Sequence, residues 1–213
     1  MIPWQLDLLE RLESLLPGAL TPYGSVTDPE TLDGWSDLDV LVDTTGTADL
    51  ESLLGTTLWA HQVAVDGTAQ VVRAVLEDGR RVDLTFREAP AILPAPAEDN
   101  AIRFEAALAA ARFGRGSDLI GLHLTLGILR EALVAPMIIA DRETGTNHHR
   151  TSTPQDAQAA EVRDLLTGPL GPTTALESYR LHTRWQTALG KPSTDAAALE
   201  QLIDRGLSGA PRP

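Results

Sequence analysis

Apolar positions recur along the chain with two different periods, and the change of period divides it. Trp4, Leu6, Leu8, Leu9, Leu12, Leu15 and Leu16 fall at helical spacing and Pro17-Gly18 closes the run, which predicts an amphipathic helix over residues 4–16. The period then shortens to two. Ala19–Tyr23 and Leu38–Val42 are short strand-like runs, and the second is entered through Asp37-Leu38-Asp39. Leu58–Val65, Ala69–Leu76 and Arg81–Phe86 follow, separated by the hairpin signals Asp66-Gly67 and Asp78-Gly79. In the first of these, Trp59, His61, Val63 and Val65 are expected on one side. In the last, Val82, Leu84 and Phe86 are expected on one side and Asp83 and Thr85 on the other. Thr47 stands where it would cap a short helix over Ala48–Leu54. The fold class is α+β, a mixed sheet of about five strands flanked by helices on one face.

After the proline-rich stretch between Pro90 and Pro96 no further strand pattern occurs, so the chain is read as two domains, residues 1–92 and an all-helical C-terminal domain over residues 98–208. Helices are predicted over Asn100–Phe113, Leu119–Val134, Gln155–Leu166, Thr174–Leu189 and Ser193–Leu207. Leu119–Val134 is apolar on most sides, which marks a central buried helix, and Pro136 is expected to bend or stop it. Asp141–Thr153 reads as a polar loop. Its His148-His149 pair does not converge on one ion, because adjacent side chains point apart and no partner with ligand spacing is nearby.

Composition removes several classes. The 213 residues include no cysteine, which excludes disulfides, thiolate metal sites and cysteine nucleophiles. The N-terminal stretch has acids within its apolar run and no basic start, unlike a signal peptide. His123, Arg130, Glu131 and Pro136 interrupt the most apolar later run, which argues against a membrane span. A cytoplasmic location is expected. A formal net charge of −13 argues against a nucleic-acid surface and suits a small cationic ligand. Lys191 is the single lysine among 17 basic residues, so any polyphosphate clamp would use arginine.

The candidate chemistry lies between Tyr23 and Asp43. Gly24-Ser25 stands where a strand turns, and glycine lets successive backbone N–H groups approach an anion. Asp37 and Asp39 are two apart, so in an extended chain both carboxylates share one face and repel unless a cation sits between them. Oxygen donors of this kind select Mg²⁺ or Mn²⁺. Asp83 is the third carboxylate that could reach the same face. Asp43 is read as ending the strand. Trp35 is read as a packing residue, and the acids of residues 26–35 as turn and cap residues.

Gly24-Ser25, the intervening loop and Ser36-Asp37-Leu38-Asp39 resemble the signature of the polymerase-β-like nucleotidyltransferase superfamily, closest in look to the aminoglycoside and lincosamide adenylyltransferases. The resemblance covers the first half of the chain. It implies that residues 1–92 form the catalytic domain and that residues 98–208 shape the acceptor pocket. It further implies that Gly24, Ser25 and Ser36 contact the nucleotide, that Asp37, Asp39 and Asp83 bind two Mg²⁺ ions, and that Asp83 is a metal ligand or the base. The implied reaction moves AMP from ATP, or another nucleoside monophosphate, to a hydroxyl of a small acceptor such as an aminoglycoside. Two alternatives share the fold: a toxin–antitoxin enzyme that modifies a partner protein, and a non-catalytic nucleotide-binding module. The residues leave oligomeric state open.

Overall fold

Leu38, Val40 and Val42 alternate inward with essentially no exposure, and the same alternation repeats in Val82, Leu84 and Phe86. That pattern builds the sheet of a computed structural model that describes residues 3–145 and 150–209. His148 and His149 lie outside the described residues. The chain forms two units, one comprising residues up to Phe104 together with Asp204 onward, the other Glu105–Ile203.

The first unit begins with α1 (Trp4–Leu15), followed by β1 (Leu20–Tyr23), a single 3₁₀ turn over Gly24–Thr27 and β2 (Leu38–Val42). Then come β3 (Ala48–Asp49), α2 (Leu50–Leu54), β4 (Leu58–Asp66), β5 (Ala69–Leu76), β6 (Arg81–Phe86) and β7 (Ala91–Ile92). The class is α+β. Five strands form a mixed sheet in the order β1-β2-β6-β5-β4, and β3 and β7 form a second, two-stranded sheet. Only β2 and β6 run parallel in the larger sheet; the other neighbours are antiparallel. Leu8 and Leu12 of α1 and Leu50 and Leu54 of α2 pack on its apolar face against Val40, Val72, Leu84 and Phe86. Helices therefore cover one face, and the polar positions of β2 and β6 are left on the other.

Several local expectations change. A register shift between Leu58 and Ala60 breaks the alternation of β4, so Trp59 does not continue the side defined by His61, Val63 and Val65. The short helix starts two residues later than its pattern suggests, because Asp49, not Thr47, is its cap: the Asp49 carboxylate accepts from Ser52 N at 2.8 Å. β7 lies within the proline-rich connection, where no strand was expected. The first turn of α3 (Asn100–Gly114) belongs to the first unit. There the Asn100 amide both donates to and accepts from the His61 backbone, at 2.7 and 2.9 Å, and so closes part of the edge of β4.

The end of α7 (Ala197–Gly209) also belongs to the first unit, which the helical pattern alone does not reveal. Gly34 and Gly206 make that contact possible: a Cβ on Gly206 would enter the ring of Trp35, which is 3 % exposed, and a Cβ on Gly34 would strike the Arg205 carbonyl. Trp35 is thus a packing residue. Gly206→Ala should destabilise the protein by about 1–2 kcal/mol, the overpacking cost exceeding the ~1 kcal/mol that alanine gains in a helix. A lower urea midpoint with a change in tryptophan fluorescence is the expected readout; a stabilised variant would disprove the tight contact.

The second unit is helical: most of α3, then α4 (Asp118–Thr144), α5 (Gln158–Thr167), α6 (Pro172–Ala188) and the start of α7. α4 does not stop at Pro136. It runs on to Thr144, with Pro136 buried inside it, and so takes in the start of the expected polar loop. Proline there removes one helical hydrogen bond, a loss offset by burying the neighbouring turn: Leu129, Ala132 and Ala135 pack against Leu181 and Trp185 of α6. By length and composition alone α4 is long and apolar enough to cross a membrane. Tyr179 and Trp185 are both buried, as core aromatics.

Candidate active site

The register of the sheet aligns four polar side chains in one row. Tyr23 of β1 pairs with Asp39 of β2, Asp39 pairs with Asp83 of β6, and Asp83 pairs with Arg73 of β5. Because Leu38, Val40, Val82 and Leu84 point into the core, Asp39 and Asp83 point to the opposite face. Asp37, two residues before Asp39, is next to that row by the same alternation. Its carboxylate lies 3.4 Å from Arg81 Nη2. The three predicted carboxylates are therefore brought to one side of the sheet from two parallel strands.

Gly24 has φ +67°, the left-handed region that glycine adopts without strain. A Cβ at Gly24 would lie 2.5 Å from Asp39 Oδ2, so the backbone at the turn lies directly against that carboxylate. The 3₁₀ turn over Gly24–Thr27 starts at this point, and the first amides of such a turn have no partner within it. Ser25 is the second residue of the turn and half-buried. Ser36 is placed differently from a ligand contact. It is 2 % exposed, its hydroxyl donates to Asp33 Oδ1 at 2.8 Å, and it accepts from Asp33 N at 3.1 Å. Its carbonyl takes the Gln5 amide at 3.2 Å. Ser36 thus fixes the loop that delivers Asp37.

Two guanidiniums stand at these carboxylates. Arg73 Nε donates to Asp83 Oδ2 at 2.9 Å, and Arg81 Nη2, besides its approach to Asp37, donates to the Trp35 carbonyl at 2.7 Å. Carboxylates on neighbouring strands about 5 Å apart repel by about 3 kcal/mol at an effective dielectric of ~20, before screening. The exposed Arg73 pair offsets at most about 1 kcal/mol of this.

The residues fit a hard divalent cation in kind: three oxygen donors share a side of the sheet, and Asp83 Oδ1 is buried with no hydrogen-bond partner. As the side chains stand, Asp83 is turned to Arg73 and Asp37 to Arg81. Accordingly, among the described residues no group of three or more His, Cys, Asp or Glu is gathered closely enough to hold an ion. Coordination requires Asp83 to leave its arginine.

Tyr23 and Arg73 were not among the expected site residues. Burial raises the Tyr23 phenol above its ordinary value of 10.0; the Asp83 and Asp39 charges push it the same way, and a hydrogen bond with Thr85 and the Arg73 charge oppose them. A raised folded value means that the contribution to stability is complete below pH 10 and is lost as pH rises through the folded pKa. Ultraviolet titration in a Tyr179→Phe background should show Tyr23 ionising late, and Asp83→Asn should bring it earlier. An unchanged curve would separate Tyr23 from the carboxylates. Asp43 lies outside the row: its carboxylate binds Arg87 at the strand end, which holds its pKa below the ordinary carboxylate value.

No family model matches the chain, and no curated protein matches it. Among solved structures, an aminoglycoside 6-adenyltransferase from Bacillus subtilis aligns over 100% of this chain and 94% of its own, at 11% identity and a TM-score of 0.27. The polymerase core of TRAMP, an RNA surveillance complex, aligns over 94% of this chain and 54% of its own, at 16% identity and a TM-score of 0.26. Likeness of this degree does not establish a shared family.

Proposed function

We propose that the protein is a nucleotidyltransferase that moves a nucleoside monophosphate, AMP from ATP in the first instance, to a hydroxyl of a small acceptor. The observation that supports this most is the register Tyr23–Asp39–Asp83–Arg73, with Asp37 beside it and the Gly24 turn against Asp39. The acceptor oxygen bonds to the α phosphorus, the bond to the pyrophosphate oxygen breaks, and the hydroxyl proton passes to a carboxylate or to water. Asp37, Asp39 and Asp83 would hold Mg²⁺, one or two ions. Bound there, the metal neutralises charge on the α phosphate and lowers the cost of deprotonating the acceptor. Backbone amides at Gly24 and Ser25 offer the phosphates their donors. Ser36 acts through the loop it holds, keeping Asp37 on the face of the sheet. A cationic acceptor, such as an aminoglycoside, suits the acidic chain.

Pyrophosphate release from ATP and Mg²⁺, measured against a panel of aminoglycosides and lincosamides, tests this. Turnover that disappears in Asp37→Asn/Asp39→Asn supports it. No turnover above that control with any acceptor removes the small-molecule reading, and a co-purifying protein that gains a nucleotide's mass would replace it with protein modification.

A further inference from the structure

The two guanidiniums at the carboxylates are held differently. Arg81 is 11% exposed and anchored on the Trp35 carbonyl, so it is a fixture of the loop. Arg73 is 60% exposed, while its partner Asp83 is 18% exposed. It is the one charged residue of β5, Ala-Gln-Val-Val-Arg-Ala-Val-Leu, and faces Asp83 through the strand register. It satisfies one Asp83 oxygen, and the other is buried without a partner. A guanidinium that stands mostly in water and makes a single ion pair is weakly held. A carboxylate with one buried oxygen unsatisfied gains from a second ligand.

From these features we propose that Arg73 is the exchangeable counterion of Asp83: it holds the carboxylate turned aside, and a divalent cation displaces it into solvent as Asp83 rotates toward Asp39. Arg73 is then a positioning residue that sets cation affinity. Arg81 stays in place during the exchange because its backbone anchor does not depend on Asp37. This rests on the cation site of the proposed function, and it adds a competition that the carboxylates alone do not contain.

The test is Mn²⁺ binding to the full chain, followed by loss of the free-ion electron paramagnetic resonance signal. Arg73→Gln should bind Mn²⁺ at least three-fold more tightly than wild type, with an unchanged circular dichroism spectrum. Arg87→Gln removes the same charge from the Asp43 pair at the end of β6 and should stay within two-fold of wild type. Unchanged or weaker binding in a folded Arg73→Gln overturns the exchange, as does equal tightening in Arg87→Gln, which would reduce it to bulk charge. Failure of the underlying site looks different: wild type and Arg73→Gln would then bind Mn²⁺ no better than Asp37→Asn/Asp39→Asn.

Discussion

Asp39→Asn is expected to lower nucleotidyl transfer by about 10³-fold or more while leaving the chain folded. The first half follows from what the carboxylate would do. Charge stabilisation by a bound metal is worth several kcal/mol in the transition state, and each 1.36 kcal/mol is about tenfold in rate. The second half follows from the row. Asparagine keeps the shape of the side chain and removes one of two carboxylates that face each other across β2 and β6. Like charges so placed repel, and such a placement is commoner at functional than at structural positions. Steady-state pyrophosphate release and thermal unfolding in chelator, on the same preparations, measure both halves. Asp43→Asn is the matched control: Asp43 also follows the alternation of β2, but it pairs with Arg87 outside the row, so its loss should leave turnover unchanged. Activity in Asp39→Asn within tenfold of wild type would sink the assignment. So would a loss of activity that merely tracks a loss of folded protein.

Local signals made much of this site legible. Period-two alternation around Asp37, Asp39 and Asp83 is enough to put each carboxylate on the polar side of its strand, and the glycine at position 24 marks the turn before it. What the alternation cannot supply is which residues face one another. Tyr23 and Arg73 join the row only because β1 pairs with β2 and β5 with β6 at a particular register, and register is set by packing between distant segments. A lone arginine in an otherwise uncharged strand was the available hint. Ser36 shows the converse. A serine next to an Asp-x-Asp strand reads as a ligand contact, but burial and the Asp33 carboxylate claim its hydroxyl for the loop. Pro136 and α7 are cases where tertiary contacts override local preference: the packed core of α4 outweighs a missing helical hydrogen bond, and two glycines bring the last helix onto Trp35.

Gly24→Ala should destabilise the protein by about 2–4 kcal/mol and reduce turnover well beyond that loss of folding. Two separable costs combine. Placing an L side chain at φ +67° costs about 1–2 kcal/mol in backbone strain alone. The new methyl would also lie 2.5 Å from Asp39 Oδ2, closer than contact allows, so the carboxylate must move. Gly18 separates the terms. It has φ +74° with nothing within 4 Å of a Cβ, so Gly18→Ala bears the backbone cost only and should leave turnover unchanged. The excess of Gly24→Ala over Gly18→Ala, read from urea midpoints, is the contact with Asp39. Removing the obstructing carboxylate should recover that excess: Gly24→Ala should cost less in an Asp39→Ala background than in wild type, by about 0.5–3 kcal/mol, the range of coupling between touching residues. Additive costs would mean that the turn and the carboxylate are independent, and the turn would then lose its claim to a place in the site. A positive coupling would tie Gly24 to Asp39 through direct contact, so that the residue shaping the turn also holds that carboxylate in its row.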